Sequence, residues 1–136
     1  MTEAAPGGVH HVAIGVRDLA ACEAFYTGVL GLPVLRRWPA ADGAGDRSVW
    51  LELGRGAFLA LERVAPDAGA APGATGDRPG YLMIAVAIAR EARPEWEARL
   101  GAAGVAVVRR TDYTLYVADP EGNRVGLSHW PEAEKG

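Results

Sequence analysis

Residues 8–16 read "GVHHVAIGV", and the second half of this stretch alternates with the period of a β-strand. Val12, Ile14 and Val16 fall on one face; His11, Ala13 and Gly15 fall on the other. Asp18 follows as a candidate N-cap for "LAACEAFYTGVL", whose Leu19, Cys22, Phe25, Tyr26, Val29 and Leu30 recur at helical spacing. Gly31 is placed to end that helix. "PVLRR" (33–37) starts a second strand, and a polar loop, "PAADGAGD", leads on. "RSVWLELG" and "AFLALERV", joined at "GRG", read as a hairpin. Val49, Leu51, Leu53, Leu59 and Leu61 share its helix-packed face. Trp50, Glu52, Phe58, Ala60 and Glu62 share the opposite face.

The pattern then repeats. "HVAIGV" at 11 matches "MIAVAI" at 83, and "LPVLRR" at 32 matches "VAVVRR" at 105. "YLMIAVAI" (81–88) predicts a strand and "RPEWEARLGAAG" (93–104) a glycine-ended helix. "VAVVRR" (105–110), "TLYVAD" (114–119) and "RVGLSHW" (124–130) predict three further strands, with "DPEGN" turning the last hairpin. Two βαβββ modules result, at about 8–64 and 81–131. A linker at 65–80, rich in Gly, Pro and Ala and without periodicity, joins them. The fold class is α+β, a single domain of tandem modules forming a curved sheet with a cleft. Small residues line the face opposite the helices: Ala13, Gly15, Ala60, Ala85, Ala87, Ala118 and Gly126. They leave volume for a ligand.

Composition bounds the function classes. The chain has 136 residues, 49% hydrophobic and 23% charged, a globular balance. The net charge of −3, with no basic run, argues against a nucleic-acid partner. No apolar stretch is long enough to span a membrane, and "MTEAAPGG" lacks the features of a signal peptide. The expected location is the cytoplasm. Cys22, the one cysteine, lies in the apolar helix stripe and reads as a buried, inert thiol.

The opening strand and helix, "HHVAIGVRDLAACEAFYTGVLGL", and the closing hairpin, "YVADPEGNRVGL", resemble those of the vicinal oxygen chelate superfamily. That superfamily includes glyoxalase I, extradiol dioxygenases, fosfomycin-modifying enzymes and bleomycin-binding resistance proteins. The resemblance implies its fold over nearly the whole chain, and it implies a ligand set in the metal-dependent members. His11 matches the first-strand ligand. Ala60 stands at the glutamate position of the fourth strand, Met83 at the second histidine position and Gly126 at the last glutamate position. Glycine has no donor, and a thioether is too soft for Mn²⁺, Mg²⁺ or Fe²⁺. Glu62 on the same face as Ala60 brings the set only to two. The expectation is no metal and no cofactor.

Trp50, Phe58, Tyr81, Met83, Tyr116 and Trp130 share the parity of the small-residue face. They contact a ligand or pack an interface between modules or subunits; the space beside them favours a site. Arg109 and Tyr116 match a basic residue and a substrate-contacting tyrosine that the resemblance implies in the fosfomycin-modifying branch. Arg36, Arg37 and Arg110 read as solvated strand-end charges, and His129 as a surface or strand histidine. His11 and Glu62 are the candidate acid–base groups if the protein is an enzyme. The leading expectation is a metal-free homodimer of the bleomycin-resistance type that sequesters an aromatic or conjugated natural product. Its ligand-binding residues are His11, Trp50, Phe58, Glu62, Tyr81, Met83, Arg109, Tyr116 and Trp130. The alternatives are a lyase, isomerase or dioxygenase-like enzyme with an atypical metal or His11 as base, and a ligand sensor or accessory subunit.

Overall fold

A computed structural model describes residues 4–69 and 79–131. The chain divides into two compact units, Met1–Pro66 and Asp67–Gly136. Most of the expected linker lies outside the described residues.

In the first unit, β1 (His11–Val16) leads into a helix, α1 (Leu19–Glu23), and then come β2 (Val34–Pro39), β3 (Asp46–Gly54) and β4 (Ala57–Arg63). The sheet order is β1-β4-β3-β2. β1 lies parallel to β4, and the other neighbours are antiparallel. Asp18 caps α1 by accepting from the Ala21 N–H at 3.0 Å, which satisfies one of the orphan donors of the first turn.

The continuous α-helix expected over 19–30 is not what forms. From Ala24 to Val29 the chain winds as a π-helix, with the Leu30 N–H donating to the Phe25 carbonyl at 3.1 Å. The wider turn carries an extra residue and lets the neighbours Phe25 and Tyr26 both be buried, their rings meeting at 4.9 Å. Gly31, at φ 80°, ends the segment. Tyr26, Val49, Leu51, Leu59 and Leu61 form the core with the buried Cys22 thiol, as the alternation requires. Register puts Ala13 opposite Ala60 and Gly15 opposite Glu62, so the small residues do share the second face.

The second unit repeats the plan with shorter strands. β5 (Ile84–Ala87) precedes a single 3₁₀ turn and α2 (Arg93–Ala102); β6 (Arg109–Arg110), β7 (Thr114–Ala118) and β8 (Arg124–Ser128) follow. The order is β5-β8-β7-β6, again with the first pair parallel. Three strands are shorter than the alternation suggests, because a strand extends only as far as its partner. β5 and β8 pair only from Ile84 with Val125 to Ala87 with Ser128, which leaves Tyr81, Leu82 and Met83 before the ladder. β8 ends at Ser128, so Trp130 lies beyond it, and β6 pairs only at its last two residues. Leu100, Leu115, Val117, Val125 and Leu127 are buried. Ala85 and Tyr116 both face Gly126 across the ladders.

Candidate functional site

Four rings form a row across the small-residue face of the first sheet, one from each strand. β1 supplies His11, β4 Phe58, β3 Trp50 and β2 Trp38. The register makes this possible, since His11 pairs with Phe58, Trp50 with Ala60 and Trp38 with Ser48. His11 and Phe58 stack at 4.7 Å and 5°. Phe58 and Trp50 stack at 4.4 Å and 24°. Trp38 meets Trp50 edge-on at 5.3 Å. Arg36 closes the row, its guanidinium 3.8 Å from the centre of the Trp38 ring, and the Arg47 guanidinium lies 5.7 Å from the same ring. Such stacked arrangements add about 0.5–1.5 kcal/mol per aromatic pair beyond buried area.

Two indole N–H groups in this row, of Trp38 and Trp50, are buried and have no hydrogen-bond partner among the described residues. A buried donor without an acceptor costs about 1–3 kcal/mol. At the other end of the row, the Nδ1 atoms of His10 and His11 lie 2.9 Å apart, and His10 also contacts the edge of Phe58.

Trp38 and Arg36 are absent from the expected site. The strand that "PVLRR" starts runs on through Trp38 to Pro39. β-bulges at Val34/Arg36 and Trp38/Pro39 interrupt its register with β3. Arg36 therefore stacks on an indole, where a solvated charge was expected. Arg37, on the opposite parity, binds Glu23 at 2.6 Å and Asp46 at 3.1 Å. That guanidinium holds the Glu23 carboxyl below its ordinary range by hydrogen bonding, against a smaller opposing effect of burial. A concavity of about 540 Å³ lies by the start of α1, lined by Arg17, Asp18, Glu23, Arg37, Asp46 and Arg63 among others. Its Arg37 and Arg63 already end on protein acceptors.

Glu62 accepts a hydrogen bond from the Ser48 hydroxyl at 3.0 Å. It pairs with Gly15, four strand positions from His11, a separation of about 13 Å at strand rise. His11 and Glu62 therefore do not form a hydrogen-bonded acid–base pair.

In the second unit, Arg109 pairs with Tyr116 across the ladder, with its guanidinium 5.8 Å from the tyrosine ring. Met83 reaches Gly126: a β-carbon built there would lie 3.4 Å from the methionine sulfur and 3.3 Å from Thr114 Cγ2. Tyr81 is fully exposed and Trp130 is 68% exposed. His129, expected as a surface or strand histidine, is buried just past the end of β8. Its Nε2 lies 3.2 Å from an Arg93 nitrogen, and its Nδ1 has no partner among the described residues. Local alternation could not show this, because Arg93 comes from the distant helix α2.

The family metal can be tested against these residues. Of the four ligand positions, His11 alone carries a suitable donor. Ala60 presents a buried methyl, and the Met83 thioether lies against a glycine with no side chain. Among the described residues, no cluster of three or more His, Cys, Asp or Glu could hold a metal. The donor set does not fit a hard divalent ion.

Two four-stranded sheets with the same plan, β1-β4-β3-β2 and β5-β8-β7-β6, define the fold of the glyoxalase-like proteins. A sequence profile of the Glyoxalase/Bleomycin resistance protein/Dioxygenase superfamily matches residues 8–127, and the chain belongs to that superfamily. No curated protein matches it. Among solved structures, a glyoxalase/dioxygenase from Nostoc punctiforme is 24% identical with a TM-score of 0.79, covering 97% of this chain and 99% of that one. Lactoylglutathione lyase from Agrobacterium tumefaciens is 22% identical with a TM-score of 0.65, covering 92% and 95%. The fosfomycin resistance protein FosX from Listeria monocytogenes is 18% identical with a TM-score of 0.70, covering 92% of each chain. A mutant of that protein is seen in complex with Mn(II) and 1S,2S-dihydroxypropylphosphonic acid. At these identities the likeness is one of fold. No helix among the described residues is long and apolar enough to cross a membrane.

Proposed function

We propose that this chain is a small-molecule-binding protein of the bleomycin-resistance type. It holds a flat aromatic or conjugated natural product, such as an antibiotic, and acts by sequestering it, with no bound metal and no turnover. The observation that carries this reading is the row His11–Phe58–Trp50–Trp38, four rings on one sheet face in a protein whose metal-ligand positions are filled by Ala60, Met83 and Gly126. An aromatic platform needs affinity and no catalytic group, and the edges of rings stacked in a row supply edge-to-face contact to a planar ligand. Glu62, held by Ser48, offers the ligand an acceptor. Met83, Arg109 and Tyr116 make a second, adaptable apolar patch with a cation on it. Tyr81 and Trp130 stand exposed and available for ligand or subunit contact. The two units are read as the modules of one domain, and the working form as a cytoplasmic homodimer.

The test is a titration of wild type, Trp50→Ala, Tyr116→Ala and His11→Ala with polycyclic and peptide antibiotics, followed by quenching of tryptophan fluorescence. Loss of affinity in the aromatic variants, with unchanged ligand recovered after denaturation, supports sequestration. Conversion of a ligand that His11→Ala abolishes, with normal binding in the aromatic variants, replaces it with an enzyme.

A further inference from the structure

The ring row has two unlike ends. At the His11 end the flanking groups are imidazoles that face each other. At the Trp38 end the flanking groups are two guanidiniums, Arg36 and Arg47, and neither has a hydrogen bond or ion pair to any described residue. Two arginines of the same unit differ in this: Arg37 is held by two carboxylates and Arg63 by the Ala44 carbonyl. A guanidinium held over an indole by cation–π attraction keeps its N–H donors for other partners, and its planar fork matches a bidentate oxyanion. The Trp38 and Trp50 indole N–H groups beside it are also without acceptors. The groups left without partners on Arg36, Arg47, Trp38 and Trp50 are all donors, and the Glu62 carboxylate on the same face is engaged by Ser48, opposite Trp38.

We infer that the Arg36–Trp38–Arg47 end of the row is an acid-recognition subsite, and that the ligand is an aromatic acid: a planar ring system bearing a carboxylate. This rests on the aromatic-ligand reading above and narrows it. The ring packs against the free edges of Trp50 and Phe58, whose faces are taken up by their neighbours in the row, and the carboxylate is directed to the guanidiniums. Charge-assisted, bidentate bonds from arginine to carboxylate are among the strongest that a surface site offers. A neutral aromatic amide makes the same ring contact without that gain, and an aromatic amine is repelled.

The probes are 2-naphthoate, 2-naphthamide and 2-naphthylmethylamine, titrated into the intact protein with tryptophan fluorescence as readout. The expected order is naphthoate, then naphthamide, then the amine, with naphthoate about tenfold tighter than naphthamide at low salt. The preference should narrow at 0.5 M salt, where the Debye length is only a few ångströms. In Arg36→Gln/Arg47→Gln the naphthoate affinity should fall to that of naphthamide. In Arg110→Gln, a surface change in the second unit, the preference should persist. Equal binding of acid and amide by wild type overturns the subsite and leaves the aromatic platform standing. So does an acid preference that survives the double substitution. Failure of all three probes to bind at millimolar concentration overturns both. The comparison of the three probes on wild type needs no variant to fold.

Discussion

Trp50 sits at the centre of the ring row, stacked on Phe58 on one side and met by the edge of Trp38 on the other. Its indole carries both the apolar area and a donor in need of an acceptor. Trp50→Ala is therefore expected to weaken a polycyclic ligand packed on the row by about 1–3 kcal/mol, the range of a buried aromatic contact. His11 lies at the end of the row with one ring neighbour from the sheet and His10 beside it. His11→Ala should cost less than about 1 kcal/mol of binding if it only extends the platform. Calorimetry on the two variants with one ligand checks the order, and a larger loss at His11 would move the anchor there. Parity within "RSVWLELG" and "AFLALERV" is enough to pair Trp50 with Phe58 on one face. Trp38 lies in the next strand over, past a bulge, and local parity does not reach it.

Arg37 ties three elements of the first unit together, gripping Glu23 of α1 and Asp46 of β3 from β2. Its side chain is 46% exposed, so solvent screening limits the contribution to at most about 1 kcal/mol. The direction with pH follows from Glu23, whose carboxyl is held below its ordinary value near 4.5. A depressed native pKa means that the ionised form is favoured by folding. The stabilisation is therefore complete above the unfolded value and is lost as pH falls through the native one. Urea unfolding of wild type and Arg37→Gln should differ by up to about 1 kcal/mol at pH 7 and converge toward pH 3. A gap that widens in acid would contradict this assignment. The helix that carries Glu23 was legible in its cap, its apolar spacing and its terminal glycine. The π-helical turn was not, because it answers to the sheet beneath it, where Phe25 and Tyr26 both find room.

At the scale of the molecule, the expected assembly is a homodimer. Each sheet has one face of small and aromatic residues, and Tyr81, Leu82 and Trp130 are exposed apolar groups. Light scattering at micromolar concentration should return twice the mass of the 14.3 kDa chain, with an interface of about 2,000 Å² or more. A monomeric mass would remove the dimer from the proposed function. Metal content is the second whole-molecule test. Protein purified without chelator and dialysed should retain well under one Mn, Fe, Ni or Zn per chain, because one histidine cannot hold a divalent ion against water. Stoichiometric metal after dialysis would point to donors other than those at the four family positions.

The sequence alone determined the order of elements, their doubling and the face on which each strand residue sits. Those properties depend on local periods, caps and turns, which act over a few residues and can be read in "HVAIGVRD" or "LELGRGAFLAL". It also showed that Ala60, Met83 and Gly126 offer no donor suited to a hard divalent ion, since that is a matter of side-chain chemistry. The tertiary structure decided which faces' residues touch. It carried β2 on through Trp38, which joins the ring row with Arg36 over it. It ended the β5–β8 ladder so that Tyr81, Met83 and Trp130 lie outside the strands. It set Glu62 far along the sheet from His11 and buried His129 against Arg93. Each of these depends on the length, bulge and register of a partner strand or on the approach of a distant helix, which the periodicity of one segment does not encode.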